Sequence, residues 1–536
     1  MQAAACLYLG TLRGVFIQGR VGIGKTLALA LAPKVAKCER AVIIVPGGIL
    51  KEVKAHIESL RRHWELPVGV MVVSFTTLSR YPAAGKTLGD LWGGQGPDGI
   101  FPDEVHNLSN VGGAGRSKQG SAVARLINDW MVAHPETVFG SATGSCDVHG
   151  IRDYSHLLDW ALRDGSPLPR DPAELEVWAR VIDDGCEADA AWVGAQLDPE
   201  YRPATVTAVR RVYRERLRST PGVIIADDQF TAVPLTVSEH VVTDPKLDEH
   251  FERLRELWQR PDGLDVLDER VSEDDLAADR EPDRVDGSIW AVARRMARGL
   301  CYVLDPPPPA EWKQARREYF SYARALLEEG IFYTELQVRR HAEECGAPAW
   351  LAWKAIRPQY DPKQHQKTMW LSTAALEWAE DWGQREPGII WTDDTAFAVE
   401  LAARTGWVFY AGKGFARTGE YIEDAPRGVT AIASRRANGT GRNLQYQWSR
   451  MLFTCVPANA AITEQNLGRE HREGIETWAS SVHADIMIGC SEDRGAIQKV
   501  FAGAYRTRES IYDCKVLHAN WTRVENVPDS PAFGSK

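Results

Sequence analysis

No apolar run in this chain approaches the roughly 20 residues a membrane-spanning helix needs, so a helical membrane protein is not expected. The nine cysteines stand singly, at 6, 38, 146, 186, 301, 345, 455, 490 and 514, with no C-x-x-C pair among them. That spacing argues against structural zinc and for free thiols in a reducing compartment. Basic charge is not in excess: 63 Lys and Arg face 73 Asp and Glu, a net charge of -10. Coating a polyanion by bulk charge is thereby excluded, although a local basic track is not. No internal repeat is visible. The opening MQAAACLYLGTLRG has no signal-peptide layout and runs straight into an apolar strand candidate, which makes a cytoplasmic protein the expectation. What is present is 536 residues, 44% of them hydrophobic, with a mean hydropathy of -0.31. A chain of that length exceeds one core and implies two or three soluble domains.

Against this background, five short stretches fall in a fixed order. The first reads Gly19-x-x-x-x-Gly24-Lys25-Thr26, with Gly22 inside it, after the apolar run Val15-Phe16-Ile17 and before a helical segment. Strand, glycine loop and helix are the setting of a phosphate-binding loop. Glycines let backbone N–H groups approach phosphate closely, and the helix N-terminus adds partial positive charge. Lys25 is expected to reach the β- and γ-phosphates of ATP, and Thr26 to place its hydroxyl on Mg²⁺. The second stretch, DEVH, supplies Asp103 as the further Mg²⁺ residue and Glu104 to polarise an attacking water. The third, Ser141-Ala142-Thr143, ends the buried-strand candidate Thr137 to Gly140 and offers hydroxyls, on Ser141 and Thr143, to couple hydrolysis to another face.

The last two stretches are Ala437-x-Gly439-x-Gly441-x-Asn443-Leu444 and Gln465-x-x-Gly468-Arg469-x-His471-Arg472. Arg469 and Arg472, three apart, are expected on one helix face, from which an arginine entering from a second lobe stabilises the charge on a transferring phosphoryl group. In order and spelling the five resemble the motifs of a superfamily-2 helicase, and the last two resemble motifs V and VI of its Swi/Snf-type branch. Val42 to Pro46 and Val72 to Leu78 are similar to motifs Ia and Ib. The resemblance covers both ends of the chain and implies two RecA-like lobes with ATP and Mg²⁺ in the cleft between them and DNA, expected as a duplex read with little sequence preference, lying across both. Within it Gln465 joins the catalytic set, and Gln2 is the one candidate for an adenine-reading glutamine. Pro102 before the acidic pair and Gly144 after the triplet depart from the pattern.

The implied architecture is α/β: an N-terminal RecA-like lobe at 1 to 150, a mostly helical insertion at 151 to 370, and a C-terminal RecA-like lobe at 371 to 536. Tryptophan-bearing runs such as Leu175 to Val181 and Trp312 to Leu327 have helical spacing and read as core. Residues 262 to 286, dominated by acids, read as a solvated loop. Two basic clusters stand out. Arg435, Arg436 and Arg442, with Asn443, flank the fourth stretch and are the candidates for nucleic-acid phosphates; Arg210, Arg214 and Arg218 mark one helix face. Two other readings compete with a DNA-dependent ATPase: a viral packaging-type motor, which leaves the last two stretches unexplained, and a nucleotide-sensing module without turnover, which predicts loss of Glu104 or of the arginines.

Overall fold

The structure, a computed structural model, describes residues 2–19, 24–108, 118–143, 150–198, 200, 205–226, 233–259, 291–328, 332, 335–439, 442–511 and 514–524. Gly22, Gly441 and the acidic stretch 262 to 286 lie outside the described residues.

Six strands form the first sheet: β1 (Gly14–Gly19), β2 (Arg40–Val45), β3 (Gly69–Ser74), β4 (Gly99–Pro102), β5 (Val138–Thr143) and β6 (Val223–Ala226). Their order is β3-β2-β4-β5-β1-β6, and every pair is parallel. Strands such as GVFIQG and RAVIIV are apolar at nearly every position because a parallel sheet is covered on both faces. Alternate residues serve alternate cores: Phe16, Val42, Ile44, Ile100 and Phe139 on one side, Val15, Ile17, Ile43, Phe101 and Val138 on the other.

The second sheet holds β7 (Leu235–Val241), β10 (Ile389–Thr392), β11 (Val408–Tyr410), β12 (Ala431–Ser434), β13 (Arg450–Phe453), β14 (Val482–Ile488) and β15 (Asn520–Thr522). It is also wholly parallel, in the order β11-β12-β10-β13-β14-β7-β15. The expected pair of parallel-sheet α/β lobes is therefore present. β8 (Leu300–Leu304) and β9 (Gln366–Trp370) make a separate antiparallel ribbon. This ribbon carries the helices Ala310–Glu328, Glu335–Glu344 and Pro348–Ile356, which close on an aromatic core of their own: Trp312, Tyr319, Trp350, Trp353 and Tyr360. Those tryptophans, and Trp178 in the helix Pro172–Ile182, are buried as expected.

The interval 151 to 370 is not one insertion, which corrects the expected boundaries. Its first part belongs to the first lobe, because β6 pairs with β1 and the helices Ile151–Leu162, Pro172–Ile182 and Val206–Ser219 pack in that lobe's core. β7 belongs to the second, seated between β14 and β15. Helical periodicity hid both strands, since an apolar run as short as Val223–Ala226 cannot be told from a helix segment by period alone.

A side joint links the lobes. In the helix Val206–Ser219, Val206, Val209, Tyr213 and Leu217 are buried, while Arg210 and Arg214 face the helix Ser491–Ser510 of the second lobe. Arg210 Nη1 lies 3.2 Å from Glu509 Oε2, and Arg214 donates to the Arg508 carbonyl at 2.6 Å. This basic face is thus a joint between lobes; Arg211 and Arg218 remain exposed. Beside it a small cavity is lined by Ile151, Tyr154, Asp183, Tyr213, Arg506 and Ser510.

Asp183 accepts from Ile151 N at 2.9 Å, and burial, opposed by Arg506, pushes its pKa up to about 7. The fold favours the neutral acid, so its contribution is fully present below the ordinary carboxyl range, near 4, and is lost as pH rises through about 7. Asp183→Asn removes this titration and keeps an acceptor. Thermal melts should show the variant gaining on the wild type by a few degrees between about pH 4 and pH 8. Parallel melting curves across that range would remove the assignment.

Candidate functional site

The phosphate-loop elements lie where β1 ends. Gly24 has φ 77° and caps the helix Lys25–Val35. Glycine adopts that left-handed φ without strain, and the Gln2 amide nitrogen lies only 2.4 Å from where a Cβ would stand. Gln2, the base-reading candidate, therefore directs its amide at the phosphate loop. Lys25 is 7% exposed and donates from Nζ to the Gly19 carbonyl at 2.9 Å. Burial lowers its pKa, Glu104 and Asp103 oppose that shift, and Arg472 and Arg469 add to it. Thr26 follows in the first turn of the same helix.

The acidic pair leaves the end of β4. Asp103 is buried, donates its backbone N–H to the Ile44 carbonyl at 2.8 Å and bridges to Ala142 of β5. Glu104 has φ 52°, a left-handed conformation that costs a side-chain-bearing residue about 1–2 kcal/mol, and its N–H bonds Asp103 Oδ1 at 2.9 Å. Strain of this kind persists where the surroundings fix one side-chain direction. Pro102 has no N–H to give; regular pairing of β4 with β5 covers Gly99 and Ile100 and resumes as the bridge at Asp103. Ser141 is fully buried in β5, its Oγ without a hydrogen-bond partner among the described residues, and Thr143 ends that strand opposite Gln18 of β1. The triplet thus runs between the phosphate-loop strand and the acidic pair.

From the second lobe come the two arginines. They do not share a helix face: the helix Ala460–Leu467 stops at Gly468, and Arg469 and Arg472 occupy the turn beyond it. Both still converge, because the glycine-bearing segment before them leaves carbonyls open to guanidinium donors. Arg469 donates to Gly439 O at 3.0 Å and to Arg442 O at 3.1 Å; Arg472 donates to Arg442 O at 3.0 Å and to Asn443 Oδ1 at 2.5 Å. Arg469 is 2% exposed, and its pKa falls to about 10 through burial and then Arg472, with Glu104 opposing. Charges of the two lobes therefore act on one another: Lys25, Asp103 and Glu104 from the first, Arg469 and Arg472 from the second. Gln465 is buried in the preceding helix.

The proposed phosphate contacts divide. Arg436 is exposed, whereas Arg435 pairs with Asp393, whose pKa is held down by that arginine against its burial. Asn443 is occupied, receiving Arg472 on Oδ1 and giving its backbone N–H to Glu423. Arg442 is a correction: it is 1% exposed, bonds the Tyr421 hydroxyl and stacks its guanidinium 5.0 Å from that ring. It packs so closely on Gly414 that a Cβ there would lie 2.7 Å from Nη2. An arginine beside a glycine-rich motif reads as surface charge, and nothing local in the sequence marks it as core. Glu470, between the two cleft arginines, was missed for the same reason.

No protein-family model matches the chain, and no curated protein matches it. Among solved structures, the Hef helicase domain of Pyrococcus furiosus aligns over 92% of this chain and 97% of that chain, at 13% identity and a TM-score of 0.34.

Proposed function

We propose that the chain is an ATP-driven motor on DNA, a superfamily-2 helicase-like ATPase of the Swi/Snf-type translocase kind. One observation carries this reading: Arg469 and Arg472 of the second lobe share an electrostatic environment with Lys25 and Glu104 of the first. Phosphoryl transfer is largely positioning and charge stabilisation, and such a cleft provides both. Gly19, Gly22 and Gly24 would cradle the phosphates, Lys25 would leave the Gly19 carbonyl for them, and Glu104 would orient water. Thr26 and Asp103 would hold Mg²⁺, an oxygen-ligand cation that would supply charge neutralisation to the phosphates. Arg469 and Arg472 then meet the γ-phosphoryl charge, with Gln465 behind them. Ser141 and Thr143 pass the change to the nucleic-acid face, where Arg436 is the exposed phosphate contact, flanked by Arg435 and Asn443.

A motor that tracks one backbone within a duplex holds phosphates and needs no base contacts. Duplex DNA should therefore stimulate turnover more than single strands or RNA, and the protein should displace a third strand without parting a fork. Raising salt from about 50 to 200 mM should cut that stimulation at least tenfold if roughly three or more phosphates are neutralised. Steady-state turnover across duplex, single strand, fork and RNA, run beside triplex displacement, tests this. Stimulation by RNA alone would sink the DNA assignment, and fork unwinding without triplex displacement would move the chain to the strand-separating branch.

A further inference from the structure

Glu470 lies between the two cleft arginines and is 0% exposed. Among the described residues its carboxyl oxygens make no hydrogen bond of good geometry; the one donor turned toward them is the indole N–H of Trp391 in β10, which favours the carboxylate but does not offset the burial. Unpartnered buried polar atoms are few in folded proteins and cost about 1–3 kcal/mol each, more when charged. A carboxyl so placed is held as the neutral acid, and burial pushes its pKa up to about 8 against the pull of Arg469. The charged groups around it can be named element by element. Arg469 and Arg472 share its turn, and β10 presents the neutral Trp391. Arg442 holds Arg469 through its backbone carbonyl, and Lys515 bonds the His471 carbonyl. Glu464 is committed to the Lys515 and Val516 N–H groups.

We propose that Glu470 is a positioning residue for Arg469. As the neutral acid it leaves the guanidinium uncompensated and available to an anion in the cleft; as a carboxylate it pairs with the guanidinium and withholds it. This rests on the reading of Arg469 as the arginine that meets the γ-phosphate. The proton balance follows: in the fraction of molecules in which Glu470 is the carboxylate, an arriving phosphate draws Arg469 outward and Glu470 takes a proton from solvent, and that proton returns when the nucleotide leaves. Sequence alone could not suggest this, since a glutamate within GREHR reads as a solvated charge.

The test is the pH dependence of turnover by the full chain, with and without Glu470→Gln. Wild-type kcat should fall about tenfold from pH 7 to pH 9 with KM little changed, the ratio expected for an acid titrating near pH 8. The glutamine variant should lose that alkaline limb. Calorimetric titration with Mg²⁺ and a non-hydrolysable ATP analogue at pH 8, in two buffers of different ionisation enthalpy, gives a second readout. The wild type should take up a fraction of a proton and the variant none. If Glu470→Gln does not fold, Glu470→Met is an uncharged replacement with the same predicted profile. Superimposable profiles with equal proton uptake overturn the inference and leave the motor reading intact. A wild type that neither binds nor hydrolyses ATP overturns both.

Discussion

Lys25→Ala should abolish ATP turnover and weaken nucleotide binding, while Glu104→Gln should stop hydrolysis and keep the nucleotide bound. The two differ because Lys25 is the cation of the phosphate loop, its Nζ already 2.9 Å from the Gly19 carbonyl, whereas Glu104 acts on water. Removing Lys25 also leaves Asp103 and Glu104 without the ammonium that their charges support. Bound phosphate would then meet two carboxylates and no loop cation, a penalty felt in the ground state as well as in the transition state. Replacing Glu104 by its neutral isostere leaves the loop as it is and removes the group that aligns the nucleophile. Steady-state turnover paired with equilibrium nucleotide titration separates the outcomes. Near-wild-type turnover in either variant would take this cleft out of the mechanism.

Arg469→Ala and Arg472→Ala should each lower turnover by about three to five decades, the range for an arginine that stabilises a transferring phosphoryl group. Nucleotide binding should survive, because the phosphate loop and the acidic pair lie on the other lobe. Arg469 carries a structural share as well, through its bonds to Gly439 O and Arg442 O. Arg469→Lys separates the two roles: a lysine keeps the positive charge but cannot reproduce the forked geometry. Single-turnover hydrolysis by the lysine variant should remain slow while its melting temperature approaches that of the wild type. Turnover within tenfold of wild type for either alanine variant would sink the assignment of a cleft arginine.

What could be read from the sequence is what local chemistry dictates. The phosphate loop is legible because glycine takes the left-handed turn at Gly24 without strain, and the two lobes are legible because doubly covered parallel strands are apolar throughout. The acidic pair follows a strand end, where the backbone can turn. Long-range pairing left no such trace. Four residues at Val223–Ala226 join a sheet begun some two hundred residues earlier, and β7 enters a sheet whose other strands lie far downstream. Arginines carry the same letter whether they pair across a joint like Arg210, fill a core like Arg442 or face solvent like Arg436. Burial, which distinguishes them, belongs to the tertiary fold.

The place of β7 has a bearing on how the polypeptide is made. It is synthesised before the strands β10 to β14, yet its seat is between β14 and β15, so its backbone stays bonded to water until residue 488 has emerged for one edge and residue 522 for the other. Pairings of such sequence separation are slow to form, and an exposed strand edge invites association with other chains in the interval. A fragment beginning at residue 371 never receives this strand and leaves β14 open along the seven positions from Val482 to Ile488. One beginning at residue 233 carries its own closure, and the second lobe should be recovered as a soluble monomer only in that longer form.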